Sequence, residues 1–209
     1  MGAQLSSQPL GRIVASIMID ILFLIALILE LVYLALFLLT IRSPALRFWP
    51  PPSARSWQFF ASWSFAGLVA AIFILLGLLD YDAGPLSPFW GRLPIALAFF
   101  IPGSIIGTWA SLTFPFRATI GLPVRLITHG PYRFSRNPQY VSDMLNAVGY
   151  VILTNSWRVA ILGLFGVALN LLAPFTEEPW LEAQYGEGYR RYKQQVPRFI
   201  GRRTRPDAA

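Results

Sequence analysis

Residues 14–41 read VASIMIDILFLIALILELVYLALFLLTI, an apolar run whose only charged residues are Asp20 and Glu30. About 20 apolar residues suffice to cross a bilayer as a helix, so this run predicts a span that tilts or protrudes. It is too long for a signal-peptide core, and no small-residue cleavage pattern follows it. Asp20 and Glu30 are costly inside a bilayer, which raises a functional suspicion about both. Asp20 lies close enough to the helix end to be wetted. Glu30 needs a polar group on another span or a lipid headgroup, and neither residue is placed in a site.

The rest of the chain agrees with that reading. Only 13% of its 209 residues are charged and 55% are hydrophobic, and mean hydropathy is +0.53. Soluble domains carry roughly 25% charged residues, so the composition is that of an integral membrane protein. Cysteine is absent, which removes disulfides, thiolate metal sites and a cysteine nucleophile. One histidine, without Asp or Glu at ligand spacing, argues against a metal site. The net charge of +7 is better read as lipid contact and topology signal than as nucleic-acid binding.

Working outward, Trp49-Pro50-Pro51-Pro52 makes a proline-rich loop before a second span at about 59–79. Asp80 to Pro85 is a turn-rich exit. A third span covers about 93–114, with Pro102 and Gly103 as the expected kink. Pro138 opens a shorter helix ending near Thr154, and Asn155-Ser156 turn the chain into a fifth helix at about 157–175. After it, Leu181, Tyr185, Tyr189, Tyr192 and Val196 recur at helical spacing. They predict an amphipathic tail helix capped by Thr176, with Glu177 and Glu178 in its first turn. The fold class is therefore all-α: a polytopic transmembrane bundle of about five spans with a cytoplasmic amphipathic C-terminal helix. Its segments are membrane helices in 1–116, a core in 117–200 and a disordered tail in 201–209. Met1-Gly2 with Ser6 also fits a short myristoylation pattern.

Lys and Arg set the expected orientation. Arg42, Arg47, Arg55, Arg117, Arg125, Arg133, Arg136 and the basic residues from Arg190 to Arg205 fall on one side. Only Arg12, Arg92 and Arg158 fall opposite. The N-terminus is expected outside and the tail in the cytoplasm.

Two polar segments stand out between these apolar stretches. The first is His129-Gly130-Pro131-Tyr132-Arg133-Phe134-Ser135-Arg136-Asn137-Pro138-Gln139-Tyr140. The second begins Glu177-Glu178-Pro179-Trp180-Leu181 and continues through Tyr189-Arg190-Arg191-Tyr192 to Val196-Pro197-Arg198-Phe199-Ile200. A loop that merely joined two spans would not need two prolines, two arginines and two flanking tyrosines. The pattern points to a cofactor site where helices leave the membrane. Taken singly, His129 reads as a local hydrogen-bonding residue, Arg133 as a positive-inside anchor, and the tail tyrosines as interfacial packing.

The run Gly130-Pro131-Tyr132, then Arg136-Asn137-Pro138-Gln139-Tyr140, resembles the signature of the isoprenylcysteine carboxyl methyltransferase and phospholipid methyltransferase superfamily. The resemblance continues through Glu177-Glu178, Gly186, Tyr189, Tyr192 and Val196-Pro197-Arg198-Phe199, over about residues 117–200. It implies an S-adenosylmethionine-dependent methyltransferase with a cofactor pocket open to the cytosol and a hydrophobic or lipid-linked acceptor entering from the bilayer. By that resemblance Gly130, Tyr132, Asn137, Pro138, Gln139 and Tyr140 lie along the cofactor, with Leu126 and Ile127 against its adenosine. Glu178, or its neighbour Glu177, holds a cofactor ammonium or hydroxyl. Arg136 holds a carboxylate, and Arg136, Asn137 and Glu178 are the catalytic candidates. In-line methyl transfer needs chiefly alignment, so scarce histidine and missing cysteine are no obstacle.

Two departures bear on the acceptor. Asn137 stands where the carboxyl methyltransferases usually have histidine, and Asn-Pro there is more like the phosphatidylethanolamine enzymes. No arginine precedes the acidic pair in Leu169-Asn170-Leu171-Leu172-Ala173-Pro174. The acceptor stays open between a prenylcysteine-type carboxylate, a phospholipid amine and another small hydrophobic substrate. The rivals are an NADPH-dependent membrane reductase of the sterol or steroid type and a non-catalytic membrane protein. The acidic pair argues against the first, since a phosphate-bearing cofactor prefers basic groups. The near-complete motifs argue against the second.

Overall fold

The computed structural model describes residues 10–86, 88–114, 116–120, 122 and 125–201. The myristoylation pattern and the tail beyond 201 lie outside them. Seven α-helices occur among the described residues, and no strand: α1 (Leu10–Arg42), α2 (Trp57–Leu79), α3 (Phe89–Thr113), the single turn α4 (Phe116–Thr119), α5 (Pro138–Thr154), α6 (Trp157–Tyr185) and α7 (Glu187–Gln195). Four of them, α1, α2, α3 and α6, are long and apolar enough to cross a membrane. The 17-residue α5 packs between α3 and α6 and makes the fifth pass of the bundle.

Each boundary has a local cause. Ser56 caps α2 by accepting from the Phe59 amide at 3.2 Å. Pro138 at the first position of α5 needs no amide partner there. Asn155, at φ 50°, reverses the chain, and the Ser156 hydroxyl caps α6 through the Val159 amide at 3.2 Å. The chain continues as a helix through Pro94 and Pro102 in α3.

Between apolar helices in lipid, association rests on close packing and interhelical hydrogen bonds. The α3–α5 seam shows both. The Ser142 hydroxyl donates to the Gly103 carbonyl at 2.8 Å, and a Cβ on Gly149 would stand 3.0 Å from the Ala96 carbonyl. On the other side, Phe23 and Ala26 of α1 pack with Ile72 and Leu76 of α2 and with Val159 and Leu162 of α6. Outward-facing Leu and Ile along α1, such as Ile21, Leu24 and Ile28, remain about half exposed, as a lipid-facing surface requires.

The two ends of the bundle carry different polar chemistry. At the end holding the α2–α3 and α5–α6 connections, Arg158 bridges Asp20 at 2.6 Å and Asp80 at 2.8 Å. The Ser156 hydroxyl donates to the same Asp80. Nearby, Asp82 accepts from Arg92 and from Asn155 Nδ2. Asp20 is thus a half-exposed ion-pair member. Glu30 is only 2% exposed, and its Oε2 makes no hydrogen bond among the described residues.

One expected element is different. α6 does not stop at 175; it runs unbroken to Tyr185 through Pro174 and Pro179. Thr176 is no cap: it is buried and turns its hydroxyl back onto the Ala173 carbonyl at 2.8 Å. The break falls instead at Gly186, whose φ of 55° suits a residue without Cβ. α7 follows as a short separate helix. The acidic pair therefore lies well inside a long helix, so the dipole at a helix start cannot account for it.

Candidate functional site

The end opposite Asp20 gathers both polar segments, the α1–α2 loop and the tail. Gly130, at φ 60°, starts a 3-10 turn, Gly130–Arg133. A Cβ there would stand 2.7 Å from the Thr113 hydroxyl oxygen, so the turn lies unstrained against the end of α3 only with glycine. It presents Tyr132, buried and stacked on Phe114 with ring centres 4.5 Å apart. The Tyr132 carbonyl accepts from the Tyr192 hydroxyl at 2.6 Å, while its own hydroxyl has no partner among the described residues. Burial pushes the Tyr132, Tyr189 and Tyr192 phenols above their ordinary value, so they remain protonated.

The tail is tied to the first motif by its backbone. The Arg136 amide donates to the Pro197 carbonyl at 2.9 Å. Asn137 Nδ2 donates to the Arg198 carbonyl at 2.9 Å, so this side chain is used to hold the tail. Leu126 packs with Tyr189, Tyr192 and Val196, the apolar line expected of the tail. Ile127 is half-buried, as is Gln139, whose side chain makes no hydrogen bond among the described residues. Pro138 is fully buried and His129 is exposed. A cleft of about 260 Å³ borders this region, lined by Thr128, Gly188, Arg191, Tyr192, Gln195 and Val196.

The two glutamates have contrasting surroundings. Glu178, 6% exposed, faces Arg198 through two bonds of 2.8 Å. Arg136 lies at 3.0 Å and Lys193 at 3.9 Å. The Arg198 guanidinium also lies over the Phe175 ring at 4.0 Å, and Glu178 holds its pKa above the ordinary value. A buried carboxylate so matched is neutralised within the protein. Arg136, expected to meet a ligand carboxylate, meets Glu178. Glu177, one residue earlier, receives only uncharged donors at Oε1: Trp49 Nε1 at 2.5 Å and the Tyr140 hydroxyl. Among the described residues no cationic nitrogen lies within 4.0 Å of it, and Oε2 accepts no hydrogen bond.

The structure thus brings Tyr140 beside Glu177 and Arg136 beside Glu178, while Leu126 and Tyr132 adjoin the tail tyrosines. Three participants were not singled out from sequence. Trp49 comes from a loop that reads only as proline-rich. Arg198 lies inside a recognised motif but had no assigned role. Lys193 reads as part of a solvated face and bonds Glu182 at 2.5 Å.

Residues 91–188 match the family model described as phospholipid methyltransferase. The matched stretch starts in α3, spans the first motif and α5, and ends just after the start of α7. Comparison with curated proteins and with solved structures returned no match. Over residues 91–188, which carry the first polar motif and the Glu177-Glu178 pair to one end of a bundle of apolar helices, the chain is similar to the phospholipid methyltransferases, a family of integral membrane methyltransferases.

Proposed function

We propose that this protein transfers a methyl group from S-adenosylmethionine to a lipid-like acceptor, a prenylcysteine-type carboxylate or a phospholipid amine. The observation that carries this reading is Glu177: a carboxylate without a counter-cation, held by two neutral donors beside a fully paired Glu178. S-adenosylmethionine bears a sulfonium and an ammonium, and a partly buried carboxylate without a cation suits such a charge. The unpartnered Tyr132 hydroxyl and the neighbouring cleft suit a polar cofactor with a flat ring. Leu126 and Ile127 would contact the adenosine, and Gly130, Tyr132, Pro138, Gln139 and Tyr140 would line the bound molecule.

When bound, the cofactor supplies an electrophilic methyl; the protein has to align it with the acceptor and exclude water. Glu177 would bind charge, while Arg136, Asn137, Glu178 and Arg198 hold the first motif, α6 and the tail together. That makes Arg136, Asn137 and Glu178 positioning residues rather than groups that touch the reacting atoms. A hydrophobic acceptor would arrive from the bilayer and the cofactor from the aqueous side, taken as cytoplasmic from the excess of Lys and Arg.

Titration of the detergent-purified protein with S-adenosylhomocysteine and with NADPH tests the class. Saturable binding of the first alone supports the methyltransferase reading. Binding of NADPH alone would replace it with a reductase.

A further inference from the structure

The family segment starts at residue 91, yet one donor to Glu177 comes from residue 49, in the loop joining α1 and α2. That loop is firmly seated. Phe48, Pro50 and Pro51 are buried, and the Phe48 amide donates to the Thr40 hydroxyl at 3.2 Å. The Phe48 ring meets Tyr33 edge-on at 5.5 Å. Trp49 itself packs against the core of Phe37, Phe48 and Ala173 and lies edge-on to Trp63 at 6.3 Å. Its indole N–H is therefore held in advance at Glu177 Oε1, and it also lies 3.3 Å from the Tyr140 hydroxyl.

An indole N–H can only donate, and a donor fixed by packing loses little freedom when the carboxylate binds something else. With Oε1 occupied from two sides, Oε2 is the oxygen left for a ligand. We propose that Trp49 is a positioning residue of the site: together with Tyr140 it orients the Glu177 carboxylate toward a positively charged group of the cofactor. The α1–α2 loop is then part of the binding machinery, although it lies outside the family segment. The inference rests on the methyltransferase reading above.

Calorimetric titration of S-adenosylmethionine and S-adenosylhomocysteine into the full-length protein in detergent tests it, with Trp49→Phe, Glu177→Gln, Tyr140→Phe and the Trp49→Phe/Glu177→Gln double variant. Trp49→Phe keeps a ring and removes the N–H, so affinity should fall about tenfold, as for a hydrogen bond to a charged group. In the Glu177→Gln background the same change should alter affinity by less than about twofold, because the charge that the N–H orients toward the ligand is gone. An indole 15N–H spectrum gives a second reading that does not need the Trp49 variant to be well folded. The Trp49 signal, identified as the one of seven tryptophans that responds to Glu177→Gln, should also move when S-adenosylhomocysteine binds.

Wild-type affinity in Trp49→Phe overturns the inference, as does an indole signal unmoved by both Glu177→Gln and ligand. Losses that simply add in the double variant do so too. If the wild-type protein binds neither compound, the methyltransferase reading itself falls, and this assignment with it.

Discussion

On the proposed function, the two adjacent glutamates divide the work, Glu177 for binding and Glu178 for cohesion. Glu178 faces Arg136, Arg198 and Lys193, so Glu178→Gln should leave three cations poorly matched and lower stability by about 1.5–3 kcal/mol, read as a drop in thermal midpoint in detergent. Glu177→Gln should leave that midpoint nearly unchanged and weaken S-adenosylhomocysteine binding about tenfold. Equal midpoints for the two variants would contradict this division. Glu182→Gln removes the half-exposed contact with Lys193 and should leave both quantities close to wild type, since an exposed ion pair contributes little. The sequence places both glutamates in one motif but cannot say which keeps its charge unpaired. That depends on Trp49, Arg136 and Arg198, which lie 128, 42 and 20 residues from their partners and whose positions are set by packing.

At the level of elements, the helices and the reversal at Asn155-Ser156 follow from apolar runs, prolines and caps. The end of α6 does not, because Thr176 followed by two acidic residues looks the same whether it caps a helix or lies inside one. Burial of Thr176 against its own helix decides the matter, and Gly186 marks the real break. The two positive-φ glycines make this testable. Gly186→Ala meets open space, but its φ of 55° and ψ of −131° lie outside the left-handed helical region, so the change should cost about 1–3 kcal/mol from conformation alone. Gly130→Ala meets Thr113 besides and should also lower the thermal midpoint; an unchanged midpoint in Gly186→Ala would refute the assignment of the break to this residue. The connection between α2 and α3 carries a pH dependence. Hydrogen bonds from Asn155 and Arg92 hold the Asp82 carboxyl below its ordinary value. A group so depressed contributes stability that is complete above its unfolded-state pKa and fades as pH falls through the folded one. Melting curves should therefore show destabilisation setting in below about pH 4, with a shallower slope for Asp82→Asn. An identical slope in the variant would exclude Asp82 as a contributor.

For the whole molecule, the prediction concerns sidedness. The chain has no cysteine, so single cysteines report cleanly in sealed vesicles. Cysteine at Arg55 and at Arg190 should react with an impermeant maleimide from one side, and cysteine at Leu86 only from the other. Labelling of all three from one side would break the five-pass arrangement. Composition and hydropathy alone determine that this is a helical membrane protein, because a bilayer requires long apolar runs whose backbone groups bond internally. The two polar motifs, and the superfamily they resemble, are also plain in the sequence, since prolines, arginines and tyrosines are conspicuous between apolar spans. Tertiary structure alone decides which oxygens, rings and cations meet. Only the packing of α1, α5 and α6 brings residue 49 to residue 177, closes Arg198 onto Glu178 and leaves the neighbouring carboxylate without a cation. Those contacts depend on distances across the bundle, and local sequence contains no record of them.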